Sequence, residues 1–400
     1  MLKKGFLINI SYALIICLLF LAAMNFEAKF YYYAFASTLF LLVVMRRIRI
    51  NAISVVYLAL GLLMAVYHSS QGVLATLRPF AYFCIYLVGF NLPRSNFARR
   101  DDNEEQDVAY QLLVVVALGS FAHLLLNFML NMGQSMDRNT LDIWSGEIMS
   151  ATGQAALGSL MIGLACALLL ASKKKLSRFL ALIALSGILI YNLTLSGRAL
   201  ILNVCVCFAI GGWFTMFQIG RSAKKQLCML ARVAIVAAVL IAIYAMNLGG
   251  LRTMVESSNL YNRFFGSENM GLTETGRWGK RLFFLRNMLE YPFGGLHMRA
   301  QVGYAHDLLL DAYDEFGVLS MLLLMAVLAD GLIQLYRFCK NENHMLLYRV
   351  AALCVSLSIM MFFFLEPIFA GMPWLFVCYS LVNGALKCTN RAPTRQSEQG

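Results

Sequence analysis

The residues of this 400-residue chain whose types and spacing suit chemistry are concentrated in one polar stretch, 249–315. It holds Arg252, Arg263, Arg277, Lys280, Arg281, Arg286, Arg299, His297 and His306. After Thr275-Gly276, the run Arg277, Trp278, Lys280, Arg281, Leu282, Phe284, Leu285, Met288 and Leu289 predicts an amphipathic helix, ended by Pro292 and turned by Gly294-Gly295. Arg277, Lys280 and Arg281 share a face at three- and four-residue spacing, opposite an apolar face suited to a membrane interface. Clustered guanidinium groups suit a phosphate or diphosphate, which Arg grips through two parallel hydrogen bonds. The same pattern also suits a helix that snorkels its charges toward lipid headgroups.

A second amphipathic run, Ala305 to Gly317, begins with His306, which can exchange a proton near neutral pH. Asp307, Asp311, Asp314 and Glu315 follow on largely one side, and part of that pattern is structural, because acids near a helix N-terminus are favoured by its dipole. Elsewhere, the turn Leu193 to Arg198 places Arg198 at the end of an apolar run, and Arg78 precedes Pro79 near the end of another. Charges at such depth are costly enough to point to function, although each alkyl chain can also snorkel. Glu366 before Pro367, and Asp142 and Glu147 ahead of Ser150, are further carboxylates suited to orienting a group or acting as a base.

The elements that must position these residues follow from composition. At 60% hydrophobic residues, 14% charged and a mean hydropathy of +0.68, the chain has too little polar surface for a soluble protein of its length. Apolar windows long enough to cross a bilayer fall at 6–24, 29–45, 51–68, 72–92, 108–131, 150–171, 178–195, 199–219, 228–248, 316–336, 350–366 and 373–387. The expected fold is all-α and integral to the membrane, with about twelve transmembrane helices and one large extracytoplasmic loop. Nine helices fall in 1–248, the loop is 249–315, three helices lie in 316–388, and 389–400 is a polar tail expected to be disordered.

Lys and Arg in short loops prefer the cytoplasm. With the N-terminus inside, 21 of the 33 basic residues fall in cytoplasmic segments, while the short outer loops hold only Lys29, Arg138 and Arg198. Both termini are then cytoplasmic, and the basic stretch 249–315 lies outside. The net charge of +12 is spread over loop ends, a topogenic pattern that argues against nucleic acid. The first window reads as a retained span and not a cleaved signal peptide. None of the ten cysteines falls in an outer loop, which excludes a disulfide framework, and none is spaced with His as a zinc site. No nucleotide-binding glycine loop or internal repeat is present.

Three runs together resemble the O-antigen ligase and polymerase family of bacterial surface-polysaccharide assembly. They are Ser196-Gly197-Arg198; Thr275-Gly276-Arg277 followed by Pro292-Phe293-Gly294-Gly295; and Ala305-His306-Asp307 followed by Glu315-Phe316-Gly317. The resemblance implies a glycosyltransferase of the GT-C type, needing neither metal nor cofactor, in the bacterial cytoplasmic membrane. Its donor would be a glycan on undecaprenyl diphosphate, and its acceptor a glycan or lipid. Arg198 and Arg277 would bind the diphosphate, joined on the donor side by Lys280, Arg281 and Arg78, and His306 would activate the acceptor hydroxyl or assist departure of the diphosphate. Two positions depart from the family's pattern: Asp307 stands where Asn or Ser is frequent, and Arg281 where some ligases have an acid. A transporter of lipid-linked oligosaccharide would suit the same span count, but transporters place their charges at the membrane midplane and not in one outer segment. A non-catalytic membrane scaffold is a third reading.

Overall fold

The computed structural model describes residues 2–44, 48–94, 102–132, 139–195, 197–219, 242, 244–265 and 276–390. The expected span at 228–248 lies for the most part outside them, as do Ser196, Thr275 and the tail from residue 391. Helices α1 (Leu2–Ala23), α2 (Phe30–Val44), α3 (Ala52–His68), α4 (Val73–Leu77), α5 (Phe80–Asn91) and α6 (Asp102–Asn131) form the first half of a helical bundle. After a short hairpin come α7 (Ala151–Ala171), α8 (Lys175–Leu195) and α9 (Arg198–Ile219). The polar stretch contributes α10 (Leu251–Glu256), α11 (Asn259–Phe265), α12 (Arg277–Asn287) and α13 (His297–Val302). The chain then continues through α14 (Leu308–Lys340), α15 (Leu346–Phe363), α16 (Ile368–Gly371) and α17 (Pro373–Thr389).

Among the described residues eight helices are long and apolar enough to cross a membrane, so this is a multi-pass, predominantly helical membrane protein. The apolar segments Ile10–Ala23 of α1 and Phe30–Val43 of α2 accompany them. The window at 72–92 counts as one of these eight, its two parts α4 and α5 joined through Arg78 and Pro79, which keep helical backbone angles while Pro79 interrupts the hydrogen-bond ladder. The segment between α6 and α7 carries an antiparallel hairpin of β1 (Asn139–Leu141) and β2 (Ile148–Ser150).

The last helix is a central one. From Trp374 to Thr389 every residue of α17 is buried. It packs closely on α5, where a Cβ at Gly89 would lie 2.3 Å from the Leu381 carbonyl oxygen and one at Gly384 2.5 Å from that of Tyr86. Small residues at such a crossing let helix backbones approach.

Helices α9 and α15 run antiparallel. The Ser358 hydroxyl donates to Asn203 Oδ1 (3.1 Å) and Cys207 Sγ donates to the Cys354 carbonyl (3.6 Å), so advancing along one helix retreats along the other. Arg198, which opens α9, therefore stands level with Phe363, which closes α15.

Helix α14 is broken at Gly317 (φ 82°, ψ 177°) into an amphipathic segment of about two and a half turns and the membrane-spanning remainder. The break is locked by the turn before α13. Val318 N–H donates to the Pro292 carbonyl (2.9 Å), and Leu296 N–H to that of Asp314 (2.8 Å). A Cβ on Gly294 would sit 2.6 Å from the Gly317 nitrogen, and one on Gly317 2.9 Å from the Pro292 oxygen. The two glycine-bearing runs thus interlock backbone to backbone. Above them a small second core gathers Phe284, Met298, Ala305, Leu310 and Tyr313, against which Met321 of α14 also packs.

Candidate functional site

Burial of Phe284 in the small core fixes the rotation of α12. Residues 277, 281, 284 and 288 follow one another at helical spacing, so Arg277 and Arg281 turn inward with Phe284. Their targets are the last carbonyls beyond α15, groups that a helix end leaves without partners. Arg277 Nη1 donates to the Leu365 carbonyl (3.1 Å) and Nη2 to Glu366 Oε1 (3.3 Å). Arg281 Nη2 donates to the His306 carbonyl (2.7 Å) and to that of Phe364, and its Nε to the Ala305 carbonyl (3.4 Å). Cations placed at a helix C-terminus also complement its dipole. Arg281 commits its Nε and Nη2 donors to these carbonyls, whereas Arg277 keeps 35% of its side chain exposed.

His306 occupies the left-handed backbone region (φ 56°), which a residue with a Cβ adopts only when its surroundings enforce it. Asp311 does so. Its two carboxylate oxygens accept from Ala305 N–H (2.9 Å) and Asp307 N–H (3.1 Å), on either side of the histidine. Asp307 in turn caps α14, accepting from Leu309 and Leu310 N–H. The imidazole Nδ1 lies 3.7 Å from Glu366 Oε2, beyond hydrogen-bond length, and is buried without a hydrogen-bond partner. The 24% of this side chain that is exposed thus falls on the rest of the ring, which carries Nε2. Glu366, only 4% exposed, faces Arg277 through one oxygen and His306 through the other.

Asp314 and Glu315 are structural. Asp314 accepts from Met298 N–H (2.9 Å) and Arg299 N–H (3.2 Å) at the start of α13, and Glu315 pairs with Arg299 (3.0 Å). The Arg299 guanidinium also lies over the Tyr304 ring at 4.3 Å. Lys280 Nζ reaches the turn at Gly303, where an added Cβ would come within 3.2 Å of it.

The other basic residues singled out by sequence are positioned by other helices. Arg78 is exposed at the α4–α5 break, with its guanidinium 5.2 Å from the Tyr31 ring centre. Arg198 is half-buried at the head of α9, after a turn that Asn192 secures by donating to the Gly197 carbonyl (3.0 Å). Its level with Phe363 puts it at the same end of the bundle as Glu366.

Asp142 is bonded to His123 Nε2 (2.6 Å) and accepts from Asn127 (3.2 Å) where the hairpin meets α6. Burial opposes its ionisation, but the hydrogen bond and charge of His123, with hydrogen bonds from Ser145, outweigh burial and hold its carboxyl down at about 2. So strong an anchor suits Asp142 to holding the hairpin and makes it a poor base.

Glu366 is the member whose place sequence left undecided, one outer carboxylate among several. The adjacent Pro367, marking a helix end, was the only signal near it. Tyr304 and the carbonyls of 364–365 carried none. Among the described residues no group of three His, Cys, Asp or Glu side chains is arranged to hold a metal ion. What the site offers is a guanidinium cluster beside a histidine–carboxylate pair, a combination suited to binding an anion and moving a proton next to it. Comparison with models of protein families and with curated proteins finds no match for this chain.

Proposed function

We propose that this chain is a metal-independent glycosyltransferase of the O-antigen ligase and polymerase type in the bacterial cytoplasmic membrane. Both termini are then cytoplasmic, and the stretch 249–315 lies on the outer face. The observation that carries this reading is the single contact set of Arg277, Glu366 and His306, in which Arg277 and His306 come from the runs that resemble the family and Glu366 joins them from beyond α15.

The donor is a glycan carried on undecaprenyl diphosphate. Arg277 faces the diphosphate with its exposed side, Arg198 approaches from α9, and Lys280 adds charge from the 303 turn. Arg281 holds the histidine loop in place. An acceptor hydroxyl gives its proton to His306 Nε2 as its oxygen attacks the anomeric carbon of the glycan. The bond from that carbon to the diphosphate oxygen breaks, and the diphosphate leaves with the electron pair, its charge met by the guanidinium groups. Glu366, facing Nδ1, stabilises the imidazolium that forms, as a buried carboxylate does behind a catalytic histidine.

One observation favours a transporter as the second reading. Asp330 and Lys387 pair inside the bundle between α14 and α17, and paired charges within a membrane span are what transport sites use. That pair sits far along α14 from the arginine cluster, and it leaves the Arg277–Glu366–His306 arrangement without a role.

The test is reconstitution of the purified protein with an undecaprenyl-diphosphate-linked glycan, with and without a candidate acceptor and with and without EDTA. Lengthening of the lipid-linked glycan identifies a polymerase, and transfer only to the added acceptor a ligase. Movement of the intact lipid-linked glycan across the bilayer, with no glycosidic bond made, supports the transporter.

A further inference from the structure

Helix α12 has a second apolar stripe that faces away from the small core. Trp278, Leu282 and Leu285 follow at four- and three-residue spacing, roughly a quarter turn around the helix from Arg277 and Phe284, and Leu289 continues the run in the 3-10 turn Met288–Glu290 that ends the helix. Trp278 is 64% exposed, Leu285 55%, Leu289 91%, and Phe293 in the next turn 81%. A polar loop surrounded by water gains nothing from such a stripe, and contiguous apolar surface of this kind marks an interaction face.

The position of the stripe identifies what covers it. The Tyr67 hydroxyl, at the end of α3, donates to the Phe293 carbonyl, and Val318 N–H, at the start of the spanning part of α14, donates to that of Pro292. Met321, one turn further along α14, packs against the core that Phe284 fills. The stripe therefore begins at the level where α3 and α14 reach the end of the bundle. Below it both helices expose apolar side chains, Leu62 and Val66 on α3 and Leu319 and Leu322 on α14. These point away from the bundle at membrane-spanning depth, where the bilayer covers them. The exposed Arg286 borders the stripe on its other side. An aromatic and leucine stripe next to a lipid-facing belt, bordered by a cation, is the pattern of a helix lying in the headgroup region.

We propose that α12 is an interfacial helix whose stripe Trp278–Leu282–Leu285–Leu289, continued by Phe293, is buried in the leaflet at this end of the bundle. The occupant is the phospholipid bilayer itself. A helix so seated holds Arg277 at headgroup depth. A membrane-borne amphiphile brings its charged group to that depth, and a soluble nucleotide-sugar does not. The seating stands independently of the reaction.

The test compares wild type with Trp278→Phe, both in liposomes of dioleoylphosphatidylcholine and of the same lipid brominated on its acyl chains. Subtracting the variant's emission isolates Trp278, and as this side chain is largely exposed the replacement leaves the fold in place. Leu289→Trp on the Trp278→Phe background supplies a second probe one stripe position further on. Both signals are expected to be strongly quenched by brominated lipid and shielded from aqueous iodide. Quenching by iodide with none by brominated lipid would place the stripe in water and overturn the proposal. Shielding from both quenchers would mean that protein, such as a second copy of the chain, covers it, and would overturn the proposal equally.

Discussion

Arg277 and Glu366 are separated by 89 residues of sequence and meet at 3.3 Å. This contact ties the polar stretch to the end of the membrane bundle, and Glu366 extends it to His306. The carboxylate therefore faces two side chains, and its removal is the most specific way to separate charge from shape.

Glu366→Gln keeps the size and an acceptor for Arg277 but removes the anion facing the imidazole. Transfer is expected to fall about 10²-fold or more, the size of effect attached to a positioned acid–base group, with expression and insertion unchanged. Single-turnover rates with lipid-linked donor measure this. A rate within a factor of two of wild type would remove Glu366 from the mechanism.

Asp311→Asn tests how the histidine is held. An amide offers one acceptor oxygen where the carboxylate uses two, so one of the Ala305 and Asp307 N–H groups loses its partner. An unsatisfied buried donor costs about 1–3 kcal/mol, paid locally in the 305–307 turn. Hydrogen exchange should speed up in peptides covering that turn, and transfer should drop although His306 is intact. Exchange that stays as slow as in wild type would contradict the staple.

Gly317→Ala places a Cβ 2.9 Å from backbone atoms at φ 82° and is expected to destabilise by more than about 1 kcal/mol. Gly187→Ala, in α8 with nothing within 4 Å of the added atom, should instead stabilise by roughly 0.5–1 kcal/mol as a helical glycine replaced. Thermal unfolding in detergent compares the two. The account of the interlocked turns fails if Gly317→Ala melts as wild type does.

Acid should loosen the hairpin selectively. The Asp142 carboxyl is held at about 2 in the folded protein, below its ordinary 3.8, so its contribution is complete above the unfolded value and is lost as pH falls from about 4 to about 2. The shift corresponds to about 2 kcal/mol, and Asp142→Asn should remove this pH dependence. Hydrogen exchange of residues 139–150 across that window follows it. Equal pH sensitivity in the Asn variant would assign the effect to another group.

The positions of the apolar helices were legible because long apolar runs have few alternatives in a chain this hydrophobic. The amphipathic helix after Gly276 and the His306 turn were legible for the same kind of reason, a change of periodicity bounded by glycine and proline. Other features depend on three-dimensional approach. Strands of three residues at 139–141 and 148–150 are too short to leave an alternating pattern. Sequence assigned α12 one apolar face, whereas Phe284 and Trp278 serve two different environments. Glu366 reaches the site because α15 ends beneath α12, a matter of how helices stack and not of local spacing. Arg281 illustrates the difference most plainly: by type and position it belongs with Arg277, yet its Nε and Nη2 donors go to the carbonyls of Ala305, His306 and Phe364.

The central claim is that Arg277 and His306 act together on a lipid-linked glycan. The most direct measurement is glycan transfer by reconstituted wild type, Arg277→Ala and His306→Ala proteins, matched for insertion, with an undecaprenyl-diphosphate-linked donor. The account predicts transfer by wild type and none by either variant. Full transfer by either variant would contradict it.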